Sequence, residues 1–465
     1  MLVVNAKRVI IISILFVITV YLVFKANSQV PESMSHTTAA YGAWQSPISA
    51  ASIFEASDNV SYLSVENNQL YFVESKASAN GKNILFKLNQ KNVAVQLTSN
   101  EVSVRSRVHE YGGRPYLVDG EDIYYSQFTD QKIYRISQNS PPEAITSEGL
   151  RYMECVADQN NNRLICVRED HRGIGEPINT LVAISLSDTY QEIILFEGTD
   201  FVSAPNLSPD GNSVAFITWS HPNMPWDDTQ LRVINFCENG SVERVNEAIQ
   251  SGNVSIKYPH YSKDGTLYFI ADFENWWTLY RIEQSSEQLK KPQQVLEEKI
   301  EINSYGIEDN DFAIIAYSKE GRDHIARVNL ITGEMANIGD AFSSADSVLV
   351  ANETVYFRAS TTSSGNAIYQ LIANDYKKIY QPSGPAIEKG FLSEPLTIEF
   401  PTGINETAYG FYYPPQNNNI IGAKNTLPPL IVKVHGGPVG ATDSSLNPGI
   451  QFWTSRGFAV FDVNH

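Results

Sequence analysis

The chain has 465 residues, and its 34 Lys and Arg against 52 Asp and Glu give a formal net charge of −18. A polyanion of this size repels phosphate backbones and no basic run interrupts it, so we expect no nucleic-acid partner. Hydrophobic residues make up 42% of the chain and charged residues only 18%, a composition that buries a large core and excludes global disorder. The length predicts two or three domains of roughly 150 residues each.

The chain begins with a segment typical of export rather than of a folded domain. Lys7 and Arg8 precede Val9–Phe24, which is almost wholly apolar. This segment is slightly short for a membrane span of ~20 residues and slightly long for a signal core of ~7–15. Residues 1–28 are therefore either a cleaved signal peptide or an uncleaved membrane anchor, and both predict a periplasmic or extracellular protein. Residues 29–55 are predicted to be a tether and N-terminal segment, because residues 25–40 are small and polar.

One sequence unit recurs seven times between residues 56 and 390. It consists of a polar turn, an apolar strand, a short loop and a second strand that often holds Tyr. The turns are marked by Asn68, Gly120, Asn161, Gly211, Gly265, Asn310 and Asn352. Neighbouring markers lie 41–54 residues apart, which is typical of four-stranded propeller blades. A β-sandwich repeats its turns every ~8–12 residues without a longer period. We therefore predict a mainly β chain with a seven-bladed β-propeller over residues 56–390.

The sequence changes character over residues 391–465. Strands are predicted at Leu396–Phe400, Ala408–Tyr413, Pro429–Val434 and Phe458–Val463, with a polar loop at Asn417–Leu427 and a helix at Asn447–Arg456. The third of these strands is continuously apolar and runs directly into His435-Gly436-Gly437-Pro438. Strand, Gly-rich turn, helix and strand in succession form the opening of an α/β unit.

Five separated strings together resemble the prolyl oligopeptidase family of serine peptidases, in its acylaminoacyl-peptidase and dipeptidyl-aminopeptidase-like branch. They are YGAWQSPISA (41–50), RVHEYGGRPY (107–116), SHPNMPWDDTQL (220–231), YSKDGTLYFIADFENWWTLYR (261–281) and IVKVHGGP (431–438). The resemblance covers nearly everything from Tyr41 onward. It implies that residues 391–465 open an α/β-hydrolase domain and that an intact homologue cleaves short peptides. No metal or organic cofactor is implied.

The Gly-rich loop after the apolar strand is the candidate oxyanion hole. Glycines at this point let the backbone turn sharply, so that an N–H faces the cleft at the carboxyl end of the strand. In α/β-hydrolases the third-strand loop supplies one of the two oxyanion donors. By resemblance, Gly437 is the expected donor with Gly436 as its neighbour, and the alternative is an ordinary tight turn.

The catalytic triad is absent from the sequence. No Gly-x-Ser-x-Gly occurs in the 465 residues, and His435 precedes any nucleophile that could follow. The family continues after the fourth strand with an Asn-Tyr-Arg-Gly-like segment, whereas this sequence reads Val463-Asn464-His465. We therefore expect a fragment without peptidase activity, in which Pro429–Val434 is an unpaired apolar edge. An incomplete gene, a frameshift or a split reading frame would explain it, and the last would place the catalytic half on a separate chain.

Two groups of propeller residues have both a functional and a structural interpretation. Glu110 and Arg107 could contact a peptide terminus, but we favour a role in tying blades together. Four tryptophans could line a substrate cavity, although core packing is the commoner use of such residues; they are Trp219, Trp226, Trp276 and Trp277.

Only three cysteines occur, and none has the spacing of a zinc ligand. Cys155 and Cys166 flank the turn at Asp158–Asn162, so they form either a cross-strand disulfide or two reduced core thiols. The main hypothesis is thus an exported serine peptidase without most of its catalytic domain. The alternative, from another class, is a non-catalytic exported β-propeller that binds or regulates a partner.

Overall fold

A computed structural model describes residues 36–54, 58–137, 140–187, 189–250, 252–283, 291–403, 406–437 and 440–464. The apolar segment Val9–Phe24 lies outside these residues. No helix within the described ranges is long and apolar enough to cross a membrane. Two short elements come first along the described chain, strand β1 (Thr37–Ala39) and helix α1 (Ala50–Phe54).

Seven four-stranded antiparallel sheets then follow one another along the chain. Blade 1 comprises β2 to β5 (Asn59–Glu66, Gln69–Lys76, Lys82–Leu88 and Ala94–Gln96), and blade 2 comprises β6 to β9 (Tyr116–Asp119, Asp122–Ser126, Ile133–Ile136 and Glu143–Ala144). Blade 3 comprises β10 to β13 (Leu150–Asp158, Arg163–Asp170, Ile178–Ser185 and Glu192–Phe196), and blade 4 comprises β14 to β17 (Phe201–Leu207, Ser213–Trp219, Gln230–Phe236 and Val242–Ile249). Blade 5 comprises β18 to β21 (Ile256–Tyr261, Leu267–Ala271, Thr278–Ile282 and Gln293–Gln294), and blade 6 comprises β22 to β25 (Glu301–Ile307, Phe312–Lys319, Arg322–Asn329 and Met335–Phe342). Blade 7 comprises β26 to β29 (Ser344–Ala351, Thr354–Thr361, Ser364–Ile372 and Asp375–Tyr380).

The predicted seven-bladed propeller is confirmed, and the sequence period has a simple structural meaning. All seven Asn and Gly markers lie in the turn between the first and second strands of a blade. Five of them have φ between +47° and +86°, the left-handed region that glycine and asparagine enter most easily. The marker spacing therefore measures the distance from one blade to the next along the chain.

The core of the propeller lies between the blades. Seven clusters of buried apolar side chains occupy the seven junctions between neighbouring blades. Both faces of a blade are therefore covered, and a second strand such as Ser213–Trp219 is buried at every position. This double burial explains why these strands are continuously apolar in sequence rather than alternating.

Among the described strands, blades 1 and 7 exchange none, so the ring closes by side-chain contacts between these two blades. Arg358 Nη1 donates to the Val60 carbonyl at 2.8 Å, and the Tyr380 hydroxyl donates to Glu74 Oε2 at 2.6 Å. A cluster of apolar side chains from both blades lies beneath these contacts.

A second sheet follows the propeller. It contains β30 (Leu396–Gly403), β31 (Glu406–Tyr413), β33 (Leu430–Val434) and β34 (Ala459–Asn464), and helix α2 (Pro448–Thr454) lies between the last two strands. The spatial order is β30-β31-β34-β33, with β33 and β34 parallel and the other pairs antiparallel. β33 and β34 follow one another in the chain and are joined by α2, so this parallel pair is a strand–helix–strand crossover.

One short pairing corrects the sequence analysis. The three-residue strand β32 (Ile420–Gly422) pairs in parallel with β1, so Thr37–Ala39 is not part of a flexible tether. Likewise, the predicted polar loop Asn417–Leu427 contains a strand. Neither segment has a hydrophobic pattern, because three-residue strands are too short to show a period.

The second sheet packs on the propeller over blades 6 and 7. The Leu446 N–H donates to the Thr361 carbonyl at 2.9 Å, and the hydroxyls of Ser444 and Ser343 are 3.1 Å apart. The Phe411 ring lies beside Gly321 in the turn between β23 and β24, 3.4 Å from where a Cβ would stand. All three contacts lie on the propeller face that holds the turns between second and third strands and the connections between blades.

Candidate active site and propeller face

The Gly-rich loop leaves the second sheet at the carboxyl ends of its two parallel strands. β33 ends at Val434, and His435, Gly436 and Gly437 follow it out of the sheet. Gly437 has φ of +82°, which strains any residue with a side chain, and both glycines have open space where a Cβ would stand. Within the described part of the chain, neither glycine N–H donates to another residue. The loop therefore presents free backbone donors to solvent, which is what an oxyanion requires.

The helix that follows the loop is fixed by local packing. Asn447 caps α2 by accepting hydrogen bonds from the N–H groups of Gly449 and Ile450, at 3.0 and 3.2 Å, and Pro448 is the first helical residue. Ile450 then packs with Phe411 and other buried side chains of the sheet. The cap and the buried Ile450 thus hold the start of α2 against the second sheet.

The strand before the loop is an exposed edge, as predicted. Among the described strands, β33 pairs only with β34. Leu430, Val432 and Val434 are 55%, 57% and 59% exposed, and they share one face because strand side chains alternate. An apolar edge of this kind is a template for another strand.

Glu110 and Arg107 lie in the connection between blades 1 and 2, on the face that also holds the second sheet. Arg107 Nη2 is 2.9 Å from Glu110 Oε2, and Arg151 Nη1 of blade 3 is 2.8 Å from Glu110 Oε1. These hydrogen bonds, first from Arg151 and then from Arg107, lower the pKa of the Glu110 carboxyl. Both carboxylate oxygens are therefore engaged by arginines, which agrees with the favoured tying role. A contact with a peptide terminus stays a prediction.

The same connection contains a buried histidine that the sequence analysis did not single out. His109 lies edge-on to the rings of Phe201 and Trp219, each at 5.3 Å, and its Nε2 is 3.2 Å from Asn179 Oδ1. Burial lowers the pKa of His109 to about 4, so the imidazole is neutral at pH 7. It anchors the connection to blades 3 and 4, and only the long-range packing identifies it.

Three solved structures that superpose on this chain are peptidases by name. A puromycin-hydrolyzing peptidase of Mycobacterium tuberculosis superposes with a TM-score of 0.85 at 24% identity, over 92% of this chain and 69% of its own. Prolyl oligopeptidase B from Galerina marginata gives 0.69 at 11% identity, over 89% of this chain and 62% of its own. An acylaminoacyl peptidase gives a TM-score of 0.62 at 16% identity, over 88% of this chain and 65% of its own. The chain has the fold of the prolyl oligopeptidase family.

The resemblance seen in the sequence is therefore confirmed at the level of the fold. No protein-family model matches the chain, and no curated protein matches it in sequence. Since the structural similarities lie below 25% identity, activity has to be argued from the residues of this chain.

In this prolyl oligopeptidase-type propeller the four tryptophans divide between packing and solvent. Trp219 is only 5% exposed and stacks on Phe201, so it is a core residue. Trp277 packs against the ammonium of Lys257, which lies 4.0 Å from the ring centroid, and burial lowers the pKa of Lys257 to about 8. Trp226 is half-buried, and Trp276 is 41% exposed in the turn between the second and third strands of blade 5. Trp276 alone of the four presents a large aromatic surface on the face of the second sheet.

The three cysteines comprise one disulfide and one free thiol. Cys155 and Cys166 are joined across β10 and β11, with Cα atoms 4.1 Å apart, and both lie in the apolar cluster between blades 2 and 3. Cys237 is exposed and free. No group of three or more His, Cys, Asp and Glu side chains in the described ranges could hold a metal ion.

Proposed function

We propose that this chain supplies the propeller and the oxyanion loop of an exported serine peptidase of the prolyl oligopeptidase family, acting on short peptides. The observation that carries the proposal is the placement of Gly436 and Gly437. Their free N–H groups stand at the carboxyl end of a parallel strand pair, on a sheet that packs over the propeller. The shared fold with three kinds of named peptidase supports it.

In such an enzyme the Gly436–Gly437 loop would act when the substrate carbonyl is attacked. A serine attacks the substrate carbonyl with help from a His–Asp pair, and negative charge develops on the carbonyl oxygen. The Gly437 N–H would stabilise this oxyanion together with the N–H after the serine. One such donor contributes a factor of ~10²–10³ in rate, because the charge exists only in the transition state.

The 465 residues contain no Gly-x-Ser-x-Gly. We therefore propose that this chain positions the peptide and that the catalytic residues come from outside these 465 residues. In this proposal the chain binds and orients peptide but does not hydrolyse it. Hydrolysis needs a nucleophile, acid and base from a continuation of the coding sequence or from a separate chain. The exposed edge of β33 is where we propose that further strand to pair.

Export is part of the proposal and rests on two features. Lys7, Arg8 and Val9–Phe24 have the character of a signal peptide or membrane anchor. The Cys155–Cys166 disulfide is typical of a protein that folds in an oxidising compartment.

The experiment has two steps. The purified 465-residue protein is assayed with acyl- and aminoacyl-peptide substrates, and we expect no turnover; hydrolysis would contradict the proposal. The coding DNA downstream is then read, and we expect Asn-Tyr-Arg-Gly followed by Gly-x-Ser-x-Gly-Gly. Unrelated downstream sequence would instead favour the non-catalytic binding or regulatory propeller.

If the longer protein hydrolyses peptides, the loop itself can be tested. Gly437→Ala forces a side chain into a left-handed conformation and displaces the N–H, so we expect kcat to fall by up to ~10²-fold with little change in KM. Gly120→Ala is the matched control, because Gly120 also has positive φ, at +61°, and open space around its Cα. An equal loss of kcat in both variants would argue against an oxyanion role.

A further inference from the structure

A cleft of about 450 Å³ opens where the propeller ring closes and the second sheet begins. Its walls come from blade 1, blade 7, the connection after β29 and the segment that leads into α2. The volume is within the range of small-ligand sites, ~300–1,000 Å³. The cleft is separate from the Gly436–Gly437 loop, which does not line it.

The lining combines an apolar wall with a row of amides. Pro382, Pro385, Leu446 and Pro448 supply apolar surface, whereas Asn59, Asn366 and Gln381 supply side-chain amides. Asn366 Nδ2 donates to Asn59 Oδ1 at 3.1 Å, and Gln381 Nε2 donates to the Asn366 carbonyl at 3.3 Å. Since a side-chain amide has two donors and an acceptor oxygen with two lone pairs, Asn59 and Asn366 have further donors and acceptors for a ligand. Such a lining suits the main chain of an extended peptide, which presents alternating N–H and C=O groups between its side chains.

The two charged residues that line the cleft have different partners. The Asp58 carboxylate shares Lys76 with the buried Glu74, since Lys76 Nζ lies 2.6 Å from Asp58 Oδ2 and 2.9 Å from Glu74 Oε1, and the Ala77 N–H lies 2.8 Å from Asp58 Oδ1. Lys378 Nζ donates to the neutral Gln381 Oε1 at 3.1 Å and forms no ion pair with a carboxylate of the described residues. The ammonium of Lys378 is therefore the lining charge that can pair with an anionic ligand.

We propose that this cleft binds the carboxylate of a short extended peptide, with Lys378 as its anchor. A carboxylate gains a charge-assisted hydrogen bond there, while the apolar wall covers the preceding side chains. The inference rests on the proposed function, because it takes short peptides as the ligands. Lys378 is a binding residue in this account and touches no reacting atom.

Peptide binding to the full chain can be measured by fluorescence polarisation with three labelled probes. They are Ala-Pro-Ala-Ala with a free C-terminal carboxylate, the same peptide with a C-terminal amide, and an amide whose last residue is Glu. We expect the free acid to bind about fivefold more tightly than the Ala amide, the gain of one partly exposed ion pair. The Glu amide carries a carboxylate on its side chain alone, and weaker binding than that of the free acid is expected if the cleft recognises the C-terminal carboxylate.

Lys378→Gln should abolish this preference while leaving weak binding of the amide. Lys377→Gln is the matched control, because Lys377 is the exposed neighbour on β29 and points to the opposite face. Equal affinity for acid and amide in the unaltered protein, or an undiminished preference in Lys378→Gln, would overturn the proposal. So would an equal loss in both variants, or no binding of any probe.

This assay needs no nucleophile, so its outcome is separable from that of the hydrolysis test. If the longer protein hydrolyses peptides but binds the free-acid and amide probes equally, the cleft proposal alone is overturned. If the free-acid probe binds more tightly in a way that depends on Lys378, but the downstream sequence is unrelated, the peptidase proposal alone is overturned.

Discussion

Asp323 is a buried carboxyl at the junction of blades 6 and 7. It is 9% exposed at the start of β24 and accepts hydrogen bonds from the Ser318 hydroxyl at 2.6 Å and the Ala345 N–H at 2.7 Å. Asn303 Nδ2 donates to it as well, at 3.0 Å. Burial is the main cause that raises the pKa of Asp323 to about 6, and the negative charge of Asp443, on the segment before α2, adds to it.

A raised carboxyl pKa makes the folded protein hold a proton that the unfolded chain releases. The contribution of Asp323 to stability is therefore greatest below its ordinary pKa of 3.8 and is lost as the pH rises through about 6. The loss is at most about 3 kcal/mol at 1.36 kcal/mol per pH unit. Relative to the unaltered protein, we expect Asp323→Asn to gain stability between pH 4.5 and pH 7.5, measured by urea unfolding.

The matched control for this prediction is Asp340→Asn, since Asp340 is an exposed aspartate of the same blade. It gives the reference for what replacing an exposed aspartate does to the free energy of unfolding. A pH-independent difference for Asp323→Asn would contradict the account of Asp323.

At the scale of elements, the disulfide links the first two strands of blade 3. It closes a loop with a sequence separation of 11, and the chain-entropy relation for such a loop gives about 2–3 kcal/mol. We expect the Cys155→Ala/Cys166→Ala double variant to lose about this much free energy of unfolding, measured by urea denaturation. Cys237→Ser is the control and should change stability little, because that thiol is exposed and free. An unchanged double variant would show that the interblade packing alone holds these strands.

The elements were predicted to different degrees. The seven turn markers located the seven blades, since a tight turn between two apolar strands is a local property of a few residues. The parallel pair β33–β34 and its Gly-rich loop were also predicted. The pairing of β1 with β32 was not, because Thr37 and Ile420 are separated in the sequence by the whole propeller.

At the scale of the whole molecule, the ring depends on the junction between blades 7 and 1. Arg358 forms an ion pair with Asp346 within blade 7 and also donates to the Val60 carbonyl of blade 1. Arg358→Met removes both contacts and leaves the Asp346 carboxylate half-buried without its partner. We expect a loss of about 2 kcal/mol, the contribution of hydrogen bonds to a charged group, and faster hydrogen exchange in β2 and β26.

Arg327→Met is the control for Arg358→Met, because it removes an ion pair that does not join blades 7 and 1. Arg327 forms a two-pronged pair with Glu308 at 2.8 and 3.0 Å, but this pair lies within blade 6. We expect it to lower stability without faster exchange in β2 and β26. If both variants opened these strands alike, Arg358 would not be a closing residue.

The sequence by itself determined the number of blades, the change to an α/β unit and the place of the Gly-rich loop. These features follow from patterns within about 50 residues, which turn geometry and strand alternation impose locally. Only the tertiary structure decided that Glu110 pairs with Arg151 across 41 residues, or that Arg358 reaches Val60 across 298. The cleft at Lys378 is of the same kind, since its walls come from blades 1 and 7 and from the segment before α2. Such contacts depend on how the ring closes and where the second sheet packs, which no local pattern records.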